Sequence, residues 1–389
     1  MGKAMAHPAP KRSSGRIFLS VRSFVGKNPV LCIAMAAALI TSLIVPPDAA
    51  YLDYFDFRTL TCLFCTLACI MALRNIRFFV TIAHKIVKTA GNARFCVLLL
   101  VYITFIGSMF LANDMALLTF LPLGYLVLKS ADKEKYMAFT FIVQNIAANL
   151  GGMLTPFGNP QNLYLYTKFS IPTGEFVGIM AFPFVLSVAI ITVCCFIFVK
   201  GDPITLHEPE TKTDPRRAGI YLILFALSIA IVFRAIPYVI GLVLVPAVLL
   251  FMDRDALKKV DYPLLLTFCM FFIFAGNMAR IPQIRALFEE LLSKNTLLVS
   301  ALSCQVISNV PTAVLLSQFT ANYQELLLGV NIGGVGTLIS SLASLITFRE
   351  YTKHYPDKTG RYIGLFSAFN FGMLAVLLGA ESLYLWWIG

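Results

Sequence analysis

The residues of this chain that could do chemistry are mostly Asn, Gly, Ser and Thr placed inside long apolar stretches. Two such segments match each other, since 149–163 reads NLGGMLTPFGNPQNL and 331–345 reads NIGGVGTLISSLASL. Each segment follows an apolar stretch that is interrupted by an asparagine, Asn113 in the first half and Asn309 in the second. This self-similarity predicts an internal repeat.

The shared residue types predict broken helices that bind a small solute. Unsatisfied backbone groups cost several kcal/mol each in lipid, so irregular backbone is tolerated only around an enclosed or water-filled site. The N-terminal ends of half-helices carry about half a positive charge each and can hold an anion without Arg or Lys. Freed carbonyl groups and the oxygens of Asn or Ser can hold Na⁺. The chemistry that this pattern indicates is therefore recognition of a solute.

The membrane setting follows from composition. The chain has 389 residues, of which 58% are hydrophobic and 13% charged, and its mean hydropathy is +0.80. Soluble chains are closer to half apolar and a quarter charged, and a soluble core cannot hide this excess. The composition thus excludes a soluble enzyme, a disordered chain and a nucleic-acid-binding domain, despite a net charge of +11. All nine cysteines lie in apolar runs and are interpreted as packing residues.

We predict an all-α polytopic membrane protein with two inverted repeats, each containing a re-entrant helical hairpin and a broken transmembrane helix. Spans are expected where about 20 apolar residues follow one another. The predicted parts are a basic cytoplasmic segment at 1–28, a first repeat at 29–199 with a hairpin at 95–128 and a broken helix at 136–169, a cytoplasmic linker at 200–217, and at 218–389 an extra helix followed by the second repeat, with a hairpin at 295–320 and a broken helix at 325–347.

The distribution of Lys and Arg predicts the topology, because cytoplasmic loops collect positive charge. The first hairpin is flanked by Arg94 on one side and by Lys129 and Lys133 on the other, so both of its ends are expected in the cytoplasm. The flanks of the second hairpin lack a positive excess, and this hairpin is expected to open to the outside. We therefore predict a multi-pass plasma-membrane protein with a cytoplasmic N-terminus and an outer C-terminus.

These motifs resemble the ion transporter superfamily, which groups citrate permeases, arsenite permeases and divalent-anion/sodium symporters. The resemblance rests on 112–118, 149–162, 308–312 and 331–337. It implies paired hairpins and broken helices, commonly in a homodimer, with an elevator-type movement of a transport domain. The second broken helix departs from the family pattern in having Leu338, Ser340 and Ser344 where Pro, Gly and Asn are usual.

The resemblance also implies which residues bind substrate and ion, at the hairpin tips and the broken-helix loops. Two residues are added on physical grounds: Asp114 because an intramembrane carboxyl is a functional candidate, and Gly333 because its backbone could be open to substrate. The predicted set is Asn113, Asp114, Thr155, Gly158, Asn159, Asn162, Asn309, Thr312, Asn331, Gly333, Thr337, Ser340 and Ser341.

The predicted function is secondary active transport of a small anion or oxyanion, an organic carboxylate or an arsenite-like species, with Na⁺ or H⁺ as coupling ion and no other cofactor. The expected partners are this substrate and the lipid bilayer. The alternative is a cation/proton antiporter of the same superfamily that uses Asp114 as its exchange acid. An enzyme is not predicted, because the sequence shows no nucleophile–His pair, no metal-ligand spacing and no phosphate-binding loop.

Overall fold

The computed structural model describes residues 24, 26, 28–204 and 213–388. Over this part of the chain the backbone is helical apart from short links and a single isolated bridge between Asn92 and Pro203. The prediction of an all-α polytopic membrane protein is confirmed. Nearly all of the predicted N-terminal segment 1–28, and residues 205–212 of the predicted linker, lie outside the described residues.

The described residues form eighteen α-helices, numbered in chain order. They are α1 Pro29–Ile44, α2 Phe57–Asn75, α3 Phe78–Val87, α4 Ala93–Ser108, α5 Asn113–Ser130, α6 Met137–Gly151, α7 Pro160–Lys168, α8 Thr173–Phe198, α9 Pro215–Val232, α10 Tyr238–Met252, α11 Arg254–Lys258, α12 Tyr262–Ala279, α13 Pro282–Lys294, α14 Thr296–Ile307, α15 Asn309–Leu316, α16 Tyr323–Ile332, α17 Leu342–His354 and α18 Thr359–Ile388. Within the described ranges, six helical stretches are long and apolar enough to cross a membrane.

Polar side chains begin several of these helices where the chain turns back into the apolar layer. The side chains of Asp56, Asp214 and Asp261 accept hydrogen bonds from backbone N–H groups in the first turns of α2, α9 and α12. Asn92 and Asn295 do the same for α4 and α14. Such caps satisfy donors that have no partner within the helix, and they fix where each apolar run enters the membrane.

Contacts between loops place both ends of the first hairpin, α4 and α5, on one face. The backbone N–H of Ala93, where α4 begins, donates to the Asp202 carbonyl at 2.8 Å. Lys135, just after α5, forms an ion pair with the Asp202 carboxylate at 2.7 Å. The Tyr355 hydroxyl, after α17, donates to Glu134 at 3.1 Å. The ends of α5, α8 and α17 and the start of α4 therefore share one face.

The second hairpin, α14 and α15, has its ends on the opposite face. The Glu325 carboxylate in α16 accepts from the backbone N–H of Leu297, at the start of α14, at 3.1 Å. The hydroxyl of Tyr323 donates to Glu175, in the first turn of α8, at 2.6 Å. Because α8 runs from this face to the face of Asp202, the two hairpins open in opposite directions.

Sixteen of these helices fall into two groups that pack mainly within themselves, while α3 and α13 connect the groups. The scaffold group consists of α1, α2 and α9–α12, in which α2 packs on α9 and α10, and α1 packs on α12. An ion pair between Asp48 and Arg280 at 2.7 Å joins the ends of α1 and α12, and the hydrogen bonds from Arg280 lower the pKa of the Asp48 carboxyl.

The hairpin group consists of the two hairpins, α6, α7, α16, α17, α8 and α18. The two groups meet where α7 packs on α2 and where α15 packs on α12. The ring of Tyr164 on α7 also lies 5.6 Å from that of Phe272 on α12. The hairpins and broken helices are therefore held on one side of the scaffold group.

Candidate substrate and ion site

The tip of the first hairpin touches both broken helices. A four-residue link, 109–112, joins α4 to α5, and Asn113 is the first residue of α5. The Asn113 side-chain nitrogen donates to Asn149 Oδ1 at 3.0 Å and lies 3.4 Å from Ser341 Oγ. Asn149 belongs to α6 and Ser341 precedes α17, so this one side chain joins the two halves of the chain.

The tip of the second hairpin reaches the same place. Ser308 alone links α14 to α15, with φ at +73°. The backbone N–H of Asn309 donates to the Ser340 carbonyl at 2.9 Å. A Cβ built on Gly334 would lie 3.1 Å from Asn309 Nδ2 and 3.6 Å from Asn149 Oδ1. Gly334 therefore lies between Asn309 and Asn149, and the two hairpin tips approach each other there.

Direct contacts also join the two breaks. The side-chain nitrogen of Asn331 donates to Asn162 Oδ1 at 2.6 Å, and that of Asn159 donates to the Asn149 carbonyl at 3.3 Å. We use the term polar cluster for the residues that these contacts connect. Each polar side chain in the cluster is at most 7% exposed. They are Asn113, Asn149, Asn159, Asn162, Asn309, Asn331, Gly334 and Ser341.

Four helices begin at this cluster. Asn113 and Asn309 are the first residues of α5 and α15, while Asn159 and Ser341 occupy the N-cap positions of α7 and α17. Each helix N-terminus contributes about half a positive charge. The four helix starts therefore give the cluster a positive potential, although several of their backbone N–H groups already donate to protein oxygens.

The predicted threonines hold the breaks against the hairpins. The Thr155 hydroxyl donates to the Met109 carbonyl at 2.7 Å, and the Thr337 hydroxyl donates to the Gln305 carbonyl at 3.0 Å. Both accepting residues stand four positions before the asparagine of their hairpin. The same hydrogen bond thus occurs in both halves of the chain, at matching positions of the repeated motif.

The other predicted residues also make local contacts. Ser340 Oγ donates to the Gly334 carbonyl at 3.0 Å, and Thr312 Oγ1 donates to the Ser308 carbonyl at 2.7 Å. Gly333 packs on Ala301 of α14, and Gly158 packs on the carbonyl group of Gly152. These residues fix the shape of the breaks, while the asparagines and Ser341 form the polar cluster.

We expect both threonine bonds to stabilise the breaks, and Thr337 to contribute more, because its Oγ1 also accepts from the backbone N–H of Ser340 at 3.1 Å. Thr155→Val and Thr337→Val each remove one hydroxyl and leave a carbonyl without this donor, which costs about 1–3 kcal/mol. Both variants should lower the melting temperature of the purified protein in a dye-based thermal assay, Thr337→Val by more than Thr155→Val. Thr352→Val, which changes an α17 hydroxyl that bonds only within its own helix, is the matched control and should shift the melting temperature least.

Asp114 is buried beside the cluster, and Arg74 lies near it. Its side chain is 5% exposed, and its Oδ1 accepts from the backbone N–H of Met115 at 2.9 Å. Arg74, in the last turn of α2, lies within electrostatic range of Asp114 and contacts Met115 Sδ at 3.8 Å. The scaffold group thus brings one guanidinium near the first hairpin, although no Arg or Lys belongs to the polar cluster itself.

Sequence reasoning missed several amides that support the cluster. Asn145, one turn before Asn149 on α6, donates to Ser344 Oγ and to Asn370 Oδ1, both at 3.3 Å. Gln305 of α14 inserts its side chain into the second break. The spacing of Asn145 and Asn149 was the available signal, because residues four apart lie on one helix face.

Some buried acceptors of the cluster have no donor in the part of the chain that the structure describes. They include the side-chain oxygens of Asn159 and Asn331, and that of the adjacent Gln161. A buried acceptor without a partner costs about 1–3 kcal/mol, so such groups usually meet water, an ion or a ligand. The cluster can thus accept hydrogen bonds as well as attract negative charge.

The fold and the buried polar cluster define this chain as a membrane transporter with several spanning helices. It matches the family described as citrate transporter over residues 25–328, and it belongs to that family. The predicted resemblance to the superfamily of citrate and arsenite permeases is thereby confirmed.

Relatives fit this assignment. The chain is 30% identical to an uncharacterized transporter of Methanocaldococcus jannaschii over 354 residues, which cover 90% of this chain and 95% of the relative. It is also 30% identical to the inner membrane protein YbiR of Escherichia coli over 286 residues, covering 70% and 74% of the two chains. An uncharacterized transporter of Mycobacterium tuberculosis is 26% identical over 314 residues, 72% of each chain.

Proposed function

We propose that this chain is a secondary active transporter that moves a small anion or oxyanion, coupled to Na⁺ or H⁺. The observation that carries the proposal is the buried polar cluster, in which both hairpin tips, both breaks and four helix N-termini meet. Converging N-termini favour negative charge at mid-membrane, where a free charge is otherwise costly.

We infer two inverted repeats from three features in both halves. Each half has a hairpin, a broken helix and a threonine that bonds to the hairpin, and the hairpins open on opposite faces. Such repeats give a transporter two equivalent states that expose one site to either side. We propose that the protein works in the plasma membrane as a homodimer, with its N-terminus in the cytoplasm and its C-terminus outside.

An elevator-type movement of the hairpin group along the scaffold group suits the contacts between them. A small gap between the groups is lined by Leu63, Leu67 and Ile70 of α2 and by Ala112 and Leu163 of the hairpin group. Apolar surfaces of this kind can slide without breaking hydrogen bonds, because packing contacts carry no fixed direction. Outside this gap, the hydrogen bond from the Arg234 side chain to the Tyr166 carbonyl at 2.7 Å joins the two groups and would have to break. The polar cluster would move with the hairpin group and meet each aqueous side in turn.

The chemistry of the cluster narrows the substrate class. The helix N-termini favour an anion, whereas the unpaired oxygens of Asn159 and Asn331 require a hydrogen-bond donor or a cation. A partly protonated oxyanion, or an organic carboxylate that binds together with a cation, satisfies both. Organic carboxylates and arsenite-like species therefore lead the substrates to be tested.

Uptake into proteoliposomes tests the proposed function. Purified protein is reconstituted, and radiolabelled citrate, succinate, arsenite and sulfate are offered under an imposed Na⁺ gradient, an H⁺ gradient or neither. We expect uptake of at least one substrate that depends on one of the gradients and is absent from protein-free vesicles. No gradient-dependent uptake of any of the four would contradict the proposal.

Cation/proton antiport is a second candidate, and the burial of Asp114 within range of Arg74 favours it. A carboxyl held this way can exchange a proton for a cation without any anion in the site. Addition of Na⁺ or K⁺ to acid-loaded vesicles would then dissipate the pH gradient reported by a trapped dye. Loss of that signal in Asp114→Asn, with no anion uptake by the wild type, would favour antiport over anion transport.

A further inference from the structure

The side chain of Gln305 fills the second break. Its nitrogen donates to three backbone carbonyl groups, those of Ala301 at 3.0 Å, Gly333 at 2.9 Å and Val335 at 3.2 Å. Its oxygen accepts from the backbone N–H of Thr337 at 2.9 Å. Three acceptors thus surround one nitrogen that carries only two hydrogens.

The backbone of the break is wrapped around this carboxamide. Gly336 adopts φ of +130°, and a Cβ at this position would overlap the Gln305 side-chain oxygen. The carbonyl groups of Gly333 and Val335 in the break and of Ala301 on α14 therefore point to one place, which the amide nitrogen occupies. Converging backbone carbonyl oxygens are the ligands that hard cations take in proteins, so the geometry of the break is that of a cation cage.

In the first half of the chain, a different residue supplies the amide nitrogen to the carbonyl groups of the break. The position equivalent to Gln305 is Met109, which has no amide. There the Asn162 nitrogen lies 3.2, 3.3 and 3.4 Å from the carbonyl oxygens of Gly152, Met153 and Thr155. In the repeat alignment, Ser344 stands where Asn162 does. Since a serine has no amide to offer the second break, Gln305 supplies one from the hairpin.

We propose that the Gln305 carboxamide takes the place of a monovalent cation in the second break, and that removing it turns this break into a Na⁺ site. The inference deepens the proposed transport function, because it means that no coupling Na⁺ binds within the carbonyl cage of the second hairpin and break. The Gln305 carboxamide is neutral. It therefore satisfies the carbonyl groups without adding or removing charge as the transporter moves.

Thermal stability in different salts tests this proposal on the full-length protein in detergent. Melting temperatures of the wild type, Gln305→Ala and Gln305→Met are compared in 100 mM choline chloride, KCl and NaCl. Gln305→Ala empties the cage, and we expect NaCl to raise its melting temperature by about 2–4 °C more than it raises that of the wild type. Gln305→Met keeps the space filled and should gain no such response.

The outcomes separate this proposal from the proposed function. A Na⁺ response of Gln305→Ala equal to that of the wild type, or shared by Gln305→Met, would overturn the inference, whatever the uptake experiments show. If Gln305→Ala does not fold, Gln305→Ser tests the same cage, since its hydroxyl oxygen can itself bind Na⁺. A response to KCl as large as that to NaCl would also contradict a Na⁺ site. The assay requires no substrate, so its result can be interpreted even if no transported anion is found.

Discussion

The variants Gly151→Ala and Gly333→Ala are each expected to yield much less folded protein than the wild type. A Cβ on Gly151 would overlap the Phe105 carbonyl oxygen of α4, and one on Gly333 would lie 2.8 Å from Ala301 Cα and 2.9 Å from its carbonyl oxygen on α14. The obstacle is backbone in both cases, so the cost should exceed the usual 1–3 kcal/mol of overpacking, to about 3 kcal/mol or more. The yield of monodisperse protein and its melting temperature measure the effect.

Two exposed helix glycines supply the control. Gly178 of α8 and Gly372 of α18 have no atoms within 4 Å of an added Cβ. Alanine at these positions should be neutral or stabilise the helix by up to about 1 kcal/mol, because glycine is a poor helix former. If Gly151→Ala and Gly333→Ala were as stable as these controls, the close packing of the hairpins on the broken helices would be wrong. A loss in only one of them would contradict the equivalence of the two halves.

Asn113→Ala is expected to reduce transport at least about 10-fold, which corresponds to loss of one or two hydrogen bonds at a charged ligand. The change removes the links from the first hairpin to Asn149 and Ser341. It also removes a polar group from the N-terminus of α5. Initial uptake rates in proteoliposomes, normalised to the amount of reconstituted protein, measure the effect.

Asn277→Ala is the matched control for this variant. Asn277 is as well buried, and its side chain bonds to Tyr54, Thr41 and Ser42, but it lies in the scaffold group. We expect both variants to lose comparable stability, while only Asn113→Ala loses transport. Equal losses of transport in the two variants would show that Asn113 acts by holding the fold and not by binding substrate.

The sequence predicts where the backbone breaks because residue types determine it locally. Asn, Gly, Pro and Ser at 149–163 and 331–345 disfavour a continuous helix wherever they stand, and both breaks are found there. The exact helix starts are less well predicted. The first hairpin turns at 109–112, just before Asn113, because Asn113 and Asp114 occupy the first turn of α5, where polar acceptors are favourable.

The contacts that join the halves could not be predicted, because they depend on how distant helices pack. Asn162 and Asn331 bond directly although 169 residues separate them. Arg74 lies in the last turn of α2, and its side chain reaches Met115 of the first hairpin. No sequence pattern around Gln305 marks it as important. The only indication is that Ser344 stands where the first half has Asn162, so another residue must supply an amide to the carbonyl groups of the second break.

The proposed movement of the hairpin group along the scaffold group is tested most directly by cross-linking. Tyr164 of α7 and Phe272 of α12, whose rings lie 5.6 Å apart, are replaced by cysteine in a variant without the nine native cysteines. A short, reducible bis-thiol reagent then joins the two helices. The control bridges Phe268 and Phe272, two positions on α12 whose rings are 6.0 Å apart. We predict that bridging Tyr164→Cys to Phe272→Cys stops uptake, that reduction restores it, and that the control bridge has no effect. Uptake that continues at the unbridged rate after complete cross-linking would contradict an elevator-type transporter.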